Sequence, residues 1–120
     1  MVFAKMLHES GMIEDVNFQI YMKWFDNFAE DCALHKVVYV RTDPDICYSR
    51  IAKRSRSGEE CIPLAYLEEC HKYHEVMLDR ANDDCVCRDQ LLMDGNKDIY
   101  ASPENLQDMI DAVTDFINNV

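Results

Sequence analysis

The fold is decided by the stretch from Lys36 to Leu78, KVVYVRTDPDICYSRIAKRSRSGEECIPLAYLEECHKYHEVML. Its first part, VVYV, is a short apolar run of β-branched and aromatic residues, which predicts a buried strand over 37–41. The motif T-D-P that follows suits a helix start, because Thr or Asp can cap a helix and proline fits its first turn. We therefore predict a strand followed at once by a helix over 44–56.

The predicted helix over 44–56 ends in a basic cluster within an acidic chain. The chain has 23 acidic and 12 basic residues and a formal net charge of −11, which argues against a nucleic-acid-binding surface. A solvated helix face is one explanation of a charge run. The concentration of bases favours an anion-binding site instead. Five of the 12 bases fall within 16 residues: Arg41, Arg50, Lys53, Arg54 and Arg56.

The rest of the chain alternates helices with one further strand. Helical spacing of apolar residues predicts helices over 2–9, 14–33 and about 62–79, and a second short strand is predicted near 91–94. Strands separated by helices pair in parallel, so the predicted class is α/β. The motif S-P-E at 102–104 predicts the start of a last helix. We expect that helix to bury six apolar side chains: Leu106, Met109, Ile110, Val113, Phe116 and Ile117.

Composition predicts one continuous unit, residues 1–120, because the sequence has no internal repeat, low-complexity tract or linker. No apolar run approaches the roughly 18–20 residues of a membrane span. The first residues, MVFAKMLHESG, are too short and too polar for a signal peptide. Six cysteines beside seven methionines and only three glycines fit a reduced compartment better than a disulfide scaffold. We expect a cytoplasmic protein that binds no membrane.

Two strands are fewer than a sheet normally needs for independent stability. The strand over 37–41 is apolar on both faces, which is typical of a central strand that is flanked on both sides. The helix over 14–33 has a broad aromatic stripe that needs partners on more than one side. We therefore expect this chain to need further structure against it.

The segment from VYVRTDPD to HEVML resembles the C-terminal half of the deoxynucleoside kinase family, which includes the deoxycytidine, deoxyguanosine and mitochondrial thymidine kinases. The family pattern there is a strand ending Y-L-x-T/A-x-P-E, a helix with R-x-x-x-R-x-R, an acidic pair and I-P-L-x-Y-L-x-x-L-H-x-x-H-E. Upstream, VFAKMLHESGMIEDVNFQIYMKWF is similar to the preceding helices, and downstream LLMDGNKDI is similar to the last strand. The resemblance implies part of a P-loop kinase-like fold.

The resemblance implies roles for individual residues. Arg50, Arg54 and Arg56 match lid arginines that contact ATP phosphates, and Arg54 would also stack on the adenine. Glu59 matches the acid that accepts a hydrogen bond from the sugar 3′-hydroxyl; a solvated surface glutamate is the alternative. Phe3 matches the aromatic residue that stacks on the nucleobase; a core phenylalanine is the alternative. The loop beside the adenine is matched, with an aliphatic residue in place of an aromatic one, by Lys97, Asp98 and Ile99.

The sequence departs from the family in what it lacks. The family cradles donor phosphates with G-x-x-x-x-G-K-[ST], and this chain has three glycines and no such motif. The catalytic glutamate and the Glu-Arg-Ser segment are also missing, and Met1 aligns just past that segment. We expect a C-terminal half that is inactive alone, with ATP and Mg²⁺ serving the intact family enzyme. The alternative is a non-catalytic helical interaction module that associates with a full-length kinase or with itself, and the family implies a homodimer through helices 2–32 and 62–78.

Two groups of residues in the sequence are of the types that bind metal ions. A zinc site could draw on cysteines and histidines, although the family motif already accounts for both histidines. The spacing of Asp94, Asn96 and Asp98 is similar to the start of a calcium loop, but Ile99 and Asn105 stand where such a loop needs Gly and Glu. We predict no metal site. The zinc candidates are Cys70, His71, His74, Cys85 and Cys87.

Overall fold

The structure, a computed structural model, describes residues 2–119. The predicted order of helices and strands is confirmed, although several ends differ. A 3-10 turn at Glu30–Cys32 follows the second helix. The elements in chain order are α1 Val2–Glu9, α2 Asp15–Ala29, β1 Val37–Arg41, α3 Pro44–Arg54, α4 Leu64–Leu78, β2 Gln90–Asp94 and α5 Pro103–Asn118.

The two strands pair in parallel, with Val37 opposite Gln90 and Arg41 opposite Asp94. The α/β class is therefore confirmed for this mostly helical chain. Side chains alternate along β1, so Tyr39 faces inward while Val38 and Val40 are 38% and 49% exposed. Both faces of β1 are apolar. Within the described residues one face is partly buried and the other is exposed to solvent.

Helix α3 ends earlier than the sequence predicted. Ser55 adopts a left-handed conformation with φ of 51°, and its N–H donates to the carbonyl of Ile51 at 3.1 Å, which closes the last turn. The predicted end at residue 56 is wrong because basic residues favour a helix C-terminus without fixing where it stops. Arg56 therefore lies beyond the helix, in the loop that follows.

Only one of the two predicted capping motifs acts as a cap. The Ser102 hydroxyl accepts a hydrogen bond from the Glu104 N–H at 3.3 Å at the start of α5. Asp43 stands at the N-cap of α3 but its side chain makes no capping bond. Its carboxylate accepts from Asn96 Nδ2 instead, at 3.0 Å. Asp43 therefore does not cap α3, and its side chain instead connects the start of α3 to the loop after β2.

The apolar core is small. The buried apolar residues among positions 2–119 are few, and α5 contributes none of them. The prediction that α5 buries its apolar stripe is wrong for Leu106, Ile110 and Ile117, which are 43%, 48% and 59% exposed. The reason is that α5 packs against a sheet of only two strands, which is too narrow to cover the stripe. The buried residues are Val2, Met6, Leu78, Cys87 and Met93.

The dimensions agree with this sparse packing. The radius of gyration is 16.9 Å, whereas a compact domain of this length would have about 14 Å. None of the helices within residues 2–119 combines the length and apolarity that crossing a bilayer requires.

Candidate functional site

The arginine loop, residues 55–62, follows α3 directly. Ser55 and Gly58 have positive φ values of 51° and 91°. Residues other than glycine adopt such a backbone conformation only at a cost in free energy. The Glu59 N–H donates to the Arg56 carbonyl at 3.1 Å. This turn folds the loop back, so its acidic residue faces the end of the helix.

Arg54 and Glu59 form an ion pair across the start of this loop. The Arg54 Nε and Nη2 both donate to Glu59 Oε2, at 3.0 Å and 2.6 Å. The Glu59 side chain is 24% exposed and the Arg54 side chain 47%. The structure thus brings together two residues for which the sequence predicted separate ligand contacts. A ligand that uses both groups must bridge the pair or part it.

A cleft of about 340 Å³ lies between α3 and the arginine loop. Tyr48 and Ile51 line its helix side, and Arg56 and Glu59 line its loop side. Arg56 is exposed, so its guanidinium group stays accessible to an anion. The cleft has one apolar wall and one charged wall, which suits a ligand that has an apolar part and a charged part.

Arg50 lies one helical turn before Arg54 and is engaged with backbone. Its Nη1 donates to the Gly95 carbonyl at 2.6 Å, and its Nη2 donates to the carbonyls of Asn96 and Lys97 at 3.1 Å and 3.4 Å. Arg50 is therefore joined to the predicted adenine-side loop as an anchor.

The loop after β2 is anchored a second time by a reciprocal side-chain pair. Asn96 Oδ1 accepts from the Asp43 N–H at 2.8 Å, and Asn96 Nδ2 donates to Asp43 Oδ2 at 3.0 Å. Gly95 is buried beside this pair, and its N–H donates to the Arg41 carbonyl at 2.7 Å. Sequence reasoning missed this junction; the run D-G-N directly after a strand is the signal that could have indicated it.

The remaining residues of the adenine-side loop lead into α5. The Asp98 carboxylate accepts from the Tyr100 N–H at 2.9 Å, and the Asp98 carbonyl accepts from Asn105 Nδ2 at 2.9 Å. Ile99 is half-buried and Lys97 is exposed. Asp98 therefore shapes the turn, while Lys97 presents its charge to solvent.

Phe3 lies on a different part of the molecule, on α1 against α4. Phe3 is 54% exposed, and its ring lies nearly perpendicular to that of His74, with centroids 6.2 Å apart and planes 82° apart. Phe3 is therefore held on one side and open on the other.

Glu75 on α4 connects the helix layer to the sheet. Its Oε1 accepts from Tyr39 OH at 2.9 Å and from Arg41 Nε at 2.8 Å, and His71 Nε2 lies 4.0 Å away. Burial raises the pKa of Tyr39 to about 12, helped by the Glu75 carboxylate. Burial opposes ionisation of Glu75, but the bonds from Arg41 and Tyr39 outweigh it and lower its pKa. Sequence reasoning did not single out Glu75.

Stability should depend on pH through this network. The Glu75 pKa is lowered in the folded state, so its contribution is present above the ordinary value of 4.5 and is lost as pH falls through the lowered pKa. The Tyr39 pKa is raised from 10.0 to about 12, so its contribution is full below pH 10 and is lost as pH rises to about 12. Urea unfolding across both ranges should show both losses.

Two variants separate these contributions from those of other groups. Glu75→Gln should flatten the acid limb relative to the unsubstituted chain, and Tyr39→Phe should flatten the alkaline limb. Identical pH profiles for the variants and the unsubstituted chain would contradict the assignment.

The candidate zinc ligands do not form a metal site in the described part of the chain. Within residues 2–119 no group of three or more His, Cys, Asp or Glu side chains is placed to hold a metal ion. His74 Nδ1 lies 2.7 Å from the Cys70 carbonyl, and Cys85 Sγ donates to the Cys87 carbonyl at 3.3 Å. These side chains are satisfied by nearby backbone.

The sequence of this chain is similar to known kinase sequences over most of its length. The sequence model of the family described as deoxynucleoside kinase matches residues 1–118. The chain is 33% identical over 119 residues to human mitochondrial thymidine kinase 2, covering 87% of this chain and 45% of the relative. It is 32% identical over 128 residues to bovine deoxycytidine kinase, covering 99% of this chain and 48% of the relative. The chain thus spans about half the length of these curated relatives.

Comparison with solved structures supports the same fold. A deoxyadenosine kinase from M. mycoides with bound dCTP superposes with a TM-score of 0.68 at 22% sequence identity, covering 92% of this chain and 58% of that one. The same kinase with bound dATP gives a TM-score of 0.67. With the family match over residues 1–118, these comparisons show that the chain belongs to the deoxynucleoside kinase family.

Proposed function

We propose that this chain supplies the lid and part of the substrate wall of a deoxynucleoside kinase, which transfers the γ-phosphoryl group of ATP to the 5′-hydroxyl of a deoxynucleoside. The observation that carries the proposal is the arginine cluster at the end of α3 with Glu59 folded back against it. Guanidinium groups bind phosphoryl oxygens through paired hydrogen bonds and neutralise the charge that develops during transfer.

The three arginines have different parts in this proposal. Arg56 is exposed in the loop and is free to meet a donor phosphate directly. Arg54 can do so after leaving Glu59, and its planar group can also stack on adenine. Arg50 donates to the carbonyls of residues 95–97, so it contacts a phosphate only by exchanging one of those bonds. We therefore assign Arg50 both an anchoring and a phosphate-binding part.

The substrate side is assigned to Glu59 and Phe3. A carboxylate that is 24% exposed can accept a hydrogen bond from a sugar 3′-hydroxyl, and a half-exposed aromatic ring can stack on a nucleobase. The adenine of the donor is assigned to the loop that Arg50 anchors, with Lys97, Asp98 and Ile99.

Mg²⁺ is implied by the family, and its fit can be judged from the donor set. Within residues 2–119 no cluster of three or more metal-ligating side chains exists. No step of the proposal is routed through the ion.

We expect no detectable phosphorylation of deoxynucleosides by the purified 120-residue chain, because its sequence has no G-x-x-x-x-G-K-[ST] phosphate cradle. Radiolabelled ATP and the four common deoxynucleosides provide the assay. Turnover by the isolated chain would contradict this part of the proposal.

Fusing the preceding half of a family kinase to this chain should produce activity. In that fusion Arg54→Ala should lower kcat/KM by about 100-fold, the size expected for a lost donor to transition-state charge. Arg88→Ala is the matched control, because Arg88 is 64% exposed and lies 3.9 Å from Asp83 outside the site. Equal losses in both variants would remove the special role of Arg54.

A second candidate function is a non-catalytic helical interaction module that associates with a full-length kinase or with a second copy of itself, in the latter case through helices 2–32 and 62–78. The exposed aromatic residues of α2 favour it, since Trp24 is 64% and Phe28 51% exposed. An active fusion favours the kinase proposal. If the fusion is inactive and the chain alone associates strongly with itself, the interaction module is favoured. The cytoplasmic location stays a prediction of the sequence.

A further inference from the structure

The His74 ring contacts two aromatic rings that come from two other elements of the fold. The His74 ring on α4 lies nearly parallel to Tyr39 of β1, with centroids 6.4 Å apart and planes 8° apart. It also lies nearly perpendicular to the Phe3 ring of α1, with centroids 6.2 Å apart and planes 82° apart. His74 therefore connects the strand to the residue assigned to the nucleobase.

The orientation of the His74 ring is fixed on both sides. Its Nδ1 lies 2.7 Å from the Cys70 carbonyl, and because a carbonyl can only accept, Nδ1 carries the proton. Tyr39 is fixed in turn by Glu75, whose Oε1 accepts its hydroxyl at 2.9 Å and also accepts from Arg41 at 2.8 Å. The His74 ring thus has little freedom about either side-chain torsion.

Phe3 is more exposed than His74 and Tyr39, which are both half-buried. It is 54% exposed and belongs to an eight-residue helix. Stacking on a base requires a ring plane that is set before the base arrives, because ordering the ring on binding would reduce affinity. An edge-to-face contact defines such a plane, since it favours near-perpendicular rings.

We propose that His74 is a positioning residue that sets the plane of the Phe3 ring and, through it, the affinity of the chain for the base of a deoxynucleoside. The affinity part rests on the base-stacking role of Phe3 in the proposed function. The positioning part rests on the geometry of Phe3, His74, Tyr39 and Glu75 and stands by itself.

Two substitutions divide the His74 side chain into its parts. His74→Asn keeps a donor at the position of Nδ1 for the Cys70 carbonyl but removes the ring. His74→Phe keeps a ring against Phe3 and Tyr39 but removes the donor. If the ring is what matters, His74→Phe should behave as the unsubstituted chain does and His74→Asn should not.

The first measurement is the aromatic NMR spectrum of Phe3 in the full chain. We expect the Phe3 ring signals to move in His74→Asn and to keep their positions more closely in His74→Phe. A second variant, Phe3→Leu, alters a half-exposed side chain and should shift the His74 ring signals without unfolding the chain. Unmoved Phe3 signals in His74→Asn, or unmoved His74 signals in Phe3→Leu, would overturn the positioning part.

The second measurement is titration of the full chain with deoxycytidine and with thymidine, followed by the same Phe3 signals. His74→Asn should weaken binding by about fivefold, the effect of losing one edge-to-face contact, and His74→Phe should restore it. Equal affinities in all three proteins would overturn the affinity part. Absence of any nucleoside-induced shift in the unsubstituted chain would refute the base-stacking role of Phe3, while the first measurement still decides the positioning part.

Discussion

Replacing Gly95 with alanine should lower the free energy of unfolding by about 3 kcal/mol, the upper end of what overpacking a filled site costs. A Cβ at this position would overlap Thr42 Oγ1 and would lie 2.9 Å from the Arg41 carbonyl oxygen and 3.0 Å from Val40 Cγ1. The Thr42 side chain can rotate away, but the Arg41 carbonyl belongs to β1 and accepts the Gly95 N–H. Urea unfolding followed by circular dichroism measures the loss.

Gly58→Ala is the matched control for this substitution. Gly58 has a φ of 91°, but nothing lies within 4 Å of an added Cβ. Its cost should therefore be backbone strain alone, about 1 kcal/mol. Adding Thr42→Ala to Gly95→Ala should recover part of the loss, because it removes the closest contact. A Gly95→Ala chain as stable as Gly58→Ala would show that the strand and the loop are not packed together as described.

The isolated chain should self-associate through α2. Its aromatic face lies beside a cavity of about 980 Å³ lined also by Tyr73, Val76 and Met77 of α4, and an apolar surface of this kind is costly to leave in water. The exposed residues of this face are Ile20, Tyr21, Trp24, Phe25 and Phe28.

Replacing Trp24 and Phe28 together with arginine should weaken self-association by about 1,000-fold, which corresponds to about 2 kcal/mol for each of two interface anchors. Tyr100→Arg is the control, because Tyr100 is an aromatic residue that is 92% exposed but lies outside α2. Sedimentation equilibrium over a range of concentrations distinguishes the three proteins. A monomeric unsubstituted chain that melts cooperatively would contradict the prediction.

The sequence was sufficient for features that depend on neighbours along the chain. The run VVYV predicted β1, and S-P-E predicted both the start of α5 and its capping bond. The sequence did not predict the end of α3. The helix ends at Ser55, which has a left-handed backbone conformation, and this position is usually occupied by glycine or asparagine instead of serine.

The largest errors concern what each face contacts. An apolar stripe identifies the side of a helix that could be buried, but its burial depends on the surface available opposite, as the exposed Ile110 and Ile117 of α5 illustrate. The anchors at Glu75 and Asn96 were missed for a related reason. Each joins segments distant in sequence, 53 positions apart for Asp43 and Asn96, and a single sequence holds no record of such pairs.

The backbone conformation of the arginine loop determines how its charges can move. Upstream, Arg50 ties α3 to the carbonyls of residues 95–97, and downstream, Glu75 ties α4 to β1. Both neighbouring helices are therefore held by contacts outside the loop, which leaves residues 55–62 as the segment between two anchored helices. Rewinding Ser55 from its left-handed state would lengthen α3 and swing Arg56 about the helix axis while Arg50 stays in place.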